Sequence, residues 1–145
     1  LFVVVGRNGT ILTSSDGISW TSRTSGTSNS LGGVTYGNGT FVTVGYTVST
    51  STSTTTTTSS DNSTTTSTTT TTEKSTTTLT SSDGVTWTLR DSGTSNELRG
   101  SITYGNGLFV TVGWEGTILT SSDGISWDNR TSGTSNTLSG ITYKE

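Results

Sequence analysis

Ser14-Ser15-Asp16-Gly17-Ile18-Ser19-Trp20 returns as Ser81-Ser82-Asp83-Gly84-Val85-Thr86-Trp87, and again as Ser121-Ser122-Asp123-Gly124-Ile125-Ser126-Trp127. The sequence downstream of each copy repeats as well. An arginine follows each tryptophan by three residues (Arg23, Arg90, Arg130), and a Ser-Gly-Thr-Ser-Asn stretch comes next at 25–29, 92–96 and 132–136. Thr-Tyr-Gly-Asn-Gly then stands at 35–39 and 103–107. A Phe-Val-x-Val-Gly run follows each, and the same kind of run opens the chain at Phe2. Self-similarity at such a period marks a repeat architecture.

Each unit reads as four short strands. The first is Leu-x-Gly-Ile/Val-Thr-Tyr, closed by a Gly-Asn-Gly hairpin signal. The second is Phe-Val-x-Val, apolar at nearly every position, as a strand buried on both faces should be. A turn at Arg7-Asn8-Gly9 or Trp114-Glu115-Gly116 leads to the third, Thr-Ile-Leu-Thr-Ser. Asp-Gly turns the chain again, and the fourth strand is expected to contain the tryptophan. No segment has helical periodicity. The expectation is an all-β, β-propeller-like array of three four-stranded blades in one domain, 1–145, with units at approximately 1–30, 31–97 and 98–145. Tyr36, Tyr104 and Tyr143 recur in register and read as core.

The Ser-x-Asp-Gly-x-Ser/Thr-Trp element resembles the Asp-box of bacterial neuraminidase-type repeats, found in sialidase-like β-propellers. The resemblance covers all three units, with one departure: the usual extra residue between Asp and Gly is missing. It implies a structural hairpin on the blade periphery, away from any active site. The residues agree with that role. Asp16, Asp83 and Asp123 can accept hydrogen bonds from the backbone of their own turns. Gly17, Gly84 and Gly124 supply positive φ, and Trp20, Trp87 and Trp127 can cover the hairpin.

Trp87 and Trp127 are 40 residues apart, whereas Trp20 and Trp87 are 67 apart. The excess is a Thr/Ser-rich insertion, approximately 47–77, replacing the turn between second and third strands. Thr is a good strand former and Asp61-Asn62 is a plausible turn near its middle. One reading is a hairpin arm, with about 14 residues per side at ~3.3 Å each reaching roughly 45 Å. The other is a solvated loop, as composition alone suggests. The run lacks a fixed spacing of the kind an ordered-water array needs.

Composition excludes several classes of function. Hydrophobic residues are only 25% of the chain and the net charge is −3, with no basic patch for nucleic acid. No apolar run is long enough to span a membrane. Cysteine and histidine are absent, so there is no disulfide framework, no thiol chemistry and no imidazole base or ligand. No metal-ligand spacing and no cofactor motif is present. Glu73, Glu97, Glu115 and Asp128 lie outside the repeat, and none sits in a catalytic motif. Arg23, Arg90 and Arg130 repeat at one position, which marks a feature of the unit and not a convergent site.

The expected function is therefore a non-enzymatic structural subunit at the cell surface or outside the cell. The opening unit lacks its first strand, and Ile141-Thr142-Tyr143 is a first strand without a second. The chain, which begins at Leu1, is expected to be processed or a portion of a longer one. Pairing its end with the start of another copy would give a head-to-tail ring, two chains making six blades, or a filament. Asn8, Asn38, Asn62 and Asn129 are candidate N-glycosylation acceptors. The alternatives are a lectin-like propeller and a non-catalytic fragment of a sialidase-like protein. Trp114, the one tryptophan outside the Asp-box, is the candidate contact for a sugar or a partner.

Overall fold

The computed structural model describes residues 1–145 and is all-β, with three antiparallel sheets, none of them closed. The first sheet is the meander β1 (Phe2–Val5), β2 (Ile11–Ser14) and β3 (Thr21–Arg23). The second is β4 (Ser30–Gly37), β5 (Thr40–Thr58), β6 (Thr64–Ser81) and β7 (Thr88–Arg90), in that order. The third repeats it as β8 (Ser101–Gly105), β9 (Leu108–Val112), β10 (Ile118–Ser121) and β11 (Asp128–Arg130).

The turns form where the sequence calls for them. Asn38 and Asn106 adopt φ of 46° and 49° between strands one and two, a conformation Asn tolerates because its short amide bonds locally. Asn8 and Glu115, in one-turn 3-10 segments, adopt φ of 54° and 53°. Three expectations need correction. Trp20, Trp87 and Trp127 precede the outer strands β3, β7 and β11 by one residue and do not lie within them. Residues 141–143 form no strand, because no second strand stands beside them to complete a ladder. Tyr36 and Tyr143 are exposed at 55% and 45%, so they are not core.

The core lies between sheets. Ile11 packs with Leu31 and Leu79, flanked by Val3, Val5 and Trp87. One unit along, Val44 packs with Leu98 and Leu119, flanked by Ile102 and Trp127. The second layer has Thr78 where the first has Ile11; Thr78 is wholly buried and its Oγ1 has no hydrogen-bond partner. The innermost strands meet backbone to backbone. A Cβ on Gly33 would stand 1.8 Å from the carbonyl oxygen of Gly100, so only glycine permits the approach. Tyr104 lies against Gly37 and Tyr143 against Gly105 in the same way, a Cβ at either glycine falling 2.0 and 2.1 Å from the ring.

Candidate functional site

Two regions stand out: the joints that repeat between sheets, and the arm with its base.

The three Asp-Gly turns are built alike. Ser14 Oγ donates to Asp16 Oδ1 at 2.9 Å and accepts from Gly17 N–H at 2.8 Å. Asp16 Oδ1 then accepts from Ile18 and Ser19 N–H, both at 2.9 Å. Ser81/Asp83 and Ser121/Asp123 reproduce this network. The backbone donors of Ser19 and Ile18, then the Ser14 hydroxyl, hold the Asp16 carboxyl down at about 2. Thr86 and Val85 N–H do the same for Asp83, also at about 2, and Asp123 is lowered likewise by Ser126 and Ile125. Each carboxylate is spent on its own turn. Gly17, Gly84 and Gly124 all sit at φ 74°. Arg23, Arg90 and Arg130 each donate through Nε to a threonine of the neighbouring third strand, Thr13, Thr80 and Thr120, at 2.9–3.0 Å.

What differs among the turns is what lies next to them. Gly84 rests on Leu1 and Val3 of the first sheet, and Gly124 on Val42 and Thr80 of the second. Gly17 meets only Phe2 of its own sheet. At the other end Val110, the counterpart of Val3 and Val42, is half-exposed, whereas Val42 is wholly buried. The polar joint behaves alike. Asn29 Nδ2 donates to Thr77 Oγ1, and Asn96 Nδ2 to Thr117 Oγ1 at 2.9 Å. Asn136 and Thr10 are the matching pair, both exposed and not joined to each other. The aromatic pairs Tyr36–Phe41 and Tyr104–Phe109 stand 4.5 and 4.7 Å apart, while Tyr143 and Phe2 have no such partner.

The insertion is a hairpin arm and not a loop. β5 and β6 pair without a break from Phe41↔Ser81 to Thr58↔Thr64. The tip turns at Asp61-Asn62: Asn62 adopts φ 66°, and Asp61 Oδ1 accepts from Ser63 N–H at 3.0 Å and Ser63 Oγ at 2.7 Å. From Val48 to Ser75 every residue is exposed. The register puts five Thr–Thr pairs on one face, from Thr50↔Thr72 to Thr58↔Thr64, and mixes Ser, Thr and Glu73 on the other.

Five non-repeating residues, Tyr46, Lys74, Glu97, Arg99 and Trp114, converge at the arm's base. Lys74 Nζ lies 3.4 Å from the Trp114 ring centroid and 3.4 Å from Glu97 Oε1. Arg99 binds the other Glu97 oxygen at 2.8 Å through its terminal nitrogen and 2.9 Å through Nε, while stacking near Trp114 and Tyr46. Glu97 is buried, and two cations offset its desolvation. Thr76 Oγ1 donates to the Thr94 carbonyl at 2.6 Å. The arm is therefore clamped to the segment between β7 and β8 and to the Trp114 turn of the third sheet. Sequence reasoning singled out Trp114, noted Glu97 only as an acidic residue outside the repeat, and missed Lys74 and Arg99, since nothing in their spacing signals that they meet. The Trp114 ring is half-buried and covered by Lys74, so that side offers a sugar no open stacking face.

Asn8, Asn38, Asn62 and Asn129 are all exposed. No helix is long and apolar enough to cross a membrane. The chain matches no family model, no curated protein and no solved structure.

Proposed function

We propose that this protein is a non-enzymatic structural repeat of the cell exterior, with propeller-like blades, that assembles head-to-tail with further copies of itself. The carrying observation is the set of half-joints. The Asp-Gly turn contact, the Asn–Thr bond and the apolar packing that link one sheet to the next each occur twice, and the third instance of each is split into two open halves. Gly17 and Val110 are one such pair; Asn136 and Thr10 are another; and Tyr143 and Phe2 are the open halves of the aromatic pair that joins first and second strands within each of the other two sheets. Apolar packing follows the same rule. Val112 and half-buried Leu138 repeat the positions of Val44 and Leu98, and lack the leucine and tryptophan that Leu119 and Trp127 supply there. Leu12 and Trp20, the latter 41% exposed, are those two residues at the opposite end. The outer edge of β1 is free for residues 141–143, as β4 pairs β5.

Such a joint is heterologous, so it closes a ring if the rotation fits and otherwise grows a filament. The carboxylates of the repeat are committed to their own turns, which supports a scaffold over a catalyst. Exposed Asn acceptors and a hydroxyl-rich arm without cysteine suit a glycosylated surface protein. Light scattering against concentration tests the reading. The expected mass keeps growing with concentration in multiples of 15.0 kDa, and Trp20→Arg, which puts a charge into the apolar half-joint, stops that growth at a small closed species. A wild-type mass that stays at one chain throughout overturns the proposal.

A further inference from the structure

We propose that the outer edge of β5 in the arm pairs with the same edge of a second copy, the two arms antiparallel, with each tip seated at the base of the other. This contact is lateral and uses none of the end joints.

The edge begins where β4 stops. β4 covers β5 as far as the Ser30↔Tyr46 pair, and beyond it Thr47–Thr58 has β6 on one side only. A partner strand there would continue the ladder in β4's place. Strands left open at a sheet edge are protected by charge, proline, bulges or shortness. These twelve residues, Thr47–Val48–Ser49–Thr50–Ser51–Thr52–Ser53–Thr54–Thr55–Thr56–Thr57–Thr58, have none of those protections. They are also β-branched at most positions, which favours the extended form. The opposite edge is different. β6 carries Glu73 and Lys74; Lys74 lies on Trp114 and Glu97, and Thr76 is bonded to the Thr94 carbonyl in the loop after β7.

Charge fixes the direction. At the base of the β5 edge lies a groove of about 720 Å³, lined by Arg7, Asn8, Ser30, Tyr46, Val48 and Arg99 among others. Arg7 is exposed and makes no ion pair, while Arg99 is held by Glu97. At the far end the tip presents Asp61, whose carboxyl is lowered by the Ser63 hydroxyl and N–H and so stays anionic. Twelve residues at ~3.4 Å span roughly 40 Å. When two such edges run antiparallel over their whole length, Thr58 of one faces Thr47 of the other. The Asp61 turn then arrives just past Thr47, at the groove that holds Arg7. Twofold symmetry makes this contact twice, and about a dozen main-chain hydrogen bonds lie between. A parallel arrangement would bring the two Asp61 carboxylates together.

Sedimentation velocity of the full chain, made without glycans and carrying Trp20→Arg to disable the end joints, tests the inference. The expected species is a dimer. Thr52→Lys/Thr54→Lys on β5 abolishes it. Thr70→Lys/Thr68→Lys, the cross-strand partners of those positions on the same face of β6, leaves it intact. Arg7→Glu weakens the dimer at least tenfold, and adding Asp61→Lys restores it. The inference is overturned by a monomer in the Trp20→Arg chain at all concentrations, by loss of the dimer on the β6 edge alone, or by failure of the charge swap to restore it. If wild-type chains fail to grow end to end yet this dimer persists, the head-to-tail reading fails and the lateral one stands.

Discussion

The body and the arm are built from the same strand chemistry and held by different forces. In the body, each sheet is braced by its neighbour through interlocked Leu, Val and Trp side chains, and glycines let the inner strands touch. In the arm, no residue from Val48 to Ser75 is buried, and backbone pairing with side-chain hydroxyls is all there is. An isolated two-stranded ribbon is marginal in water. The arm's order therefore rests on its clamp at Lys74, Glu97 and Trp114, and on whatever covers its edges. Repetition builds the scaffold, and departures from repetition build the parts that single out this chain.

The comparison can be broken first in the body. Gly33→Ala drives a methyl into the Gly100 carbonyl and should lower stability by about 3 kcal/mol or more, read by chemical denaturation. Glu97→Ala removes the anion shared by two half-exposed cations, which can return to water. A loss of about 2 kcal/mol is expected. Hydrogen exchange should then speed up along β6 near Lys74 before it does in β9 or β10. Uniform acceleration would mean that Glu97 serves the body and not the arm. Thr78→Val removes an orphaned buried hydroxyl and should stabilise by about 1 kcal/mol, raising Tm by roughly 3 °C. A destabilised variant would show that the hydroxyl is satisfied.

Acid gives a smaller and graded effect. The Asp16 and Asp83 carboxyls titrate at about 2 when folded, against 3.8 for the free group. Their contribution is complete above about pH 4–5 and is lost as pH falls through 4 towards 2. Carboxyl NMR titration should place both midpoints near 2; midpoints near 4 would deny the turn network. Smallest of all is the effect of replacing 48–73 by a short turn, which should leave the thermal midpoint of the body unchanged because the arm adds nothing to the core.

Much of this was legible in the sequence. The spacing of the Ser-Ser-Asp-Gly-x-Ser/Thr-Trp repeat located three units, the Gly-Asn-Gly and Asp-Gly turns located the hairpins, and Asp61-Asn62 located the arm's tip. What was hidden depends on partners distant along the chain. Tyr36 repeats like a core residue, yet it is exposed, because the sheet before it has no first strand to offer the glycine that Gly37 offers Tyr104. Residues 141–143 have strand composition, but a strand needs a second strand beside it. The Lys74–Glu97–Trp114 clamp draws on three segments whose meeting depends on the arm's register. That register also separates an all-threonine face from a mixed one, a pattern invisible in a run of Thr and Ser.

Electron microscopy of the 145-residue chain at assembling concentration tests the central claim most directly. The account predicts closed rings or filaments in which sheets follow one another at about 10 Å across every junction, including those between chains. Single particles of one-chain mass, with the Phe2 and Tyr143 surfaces still open to solvent, would contradict it.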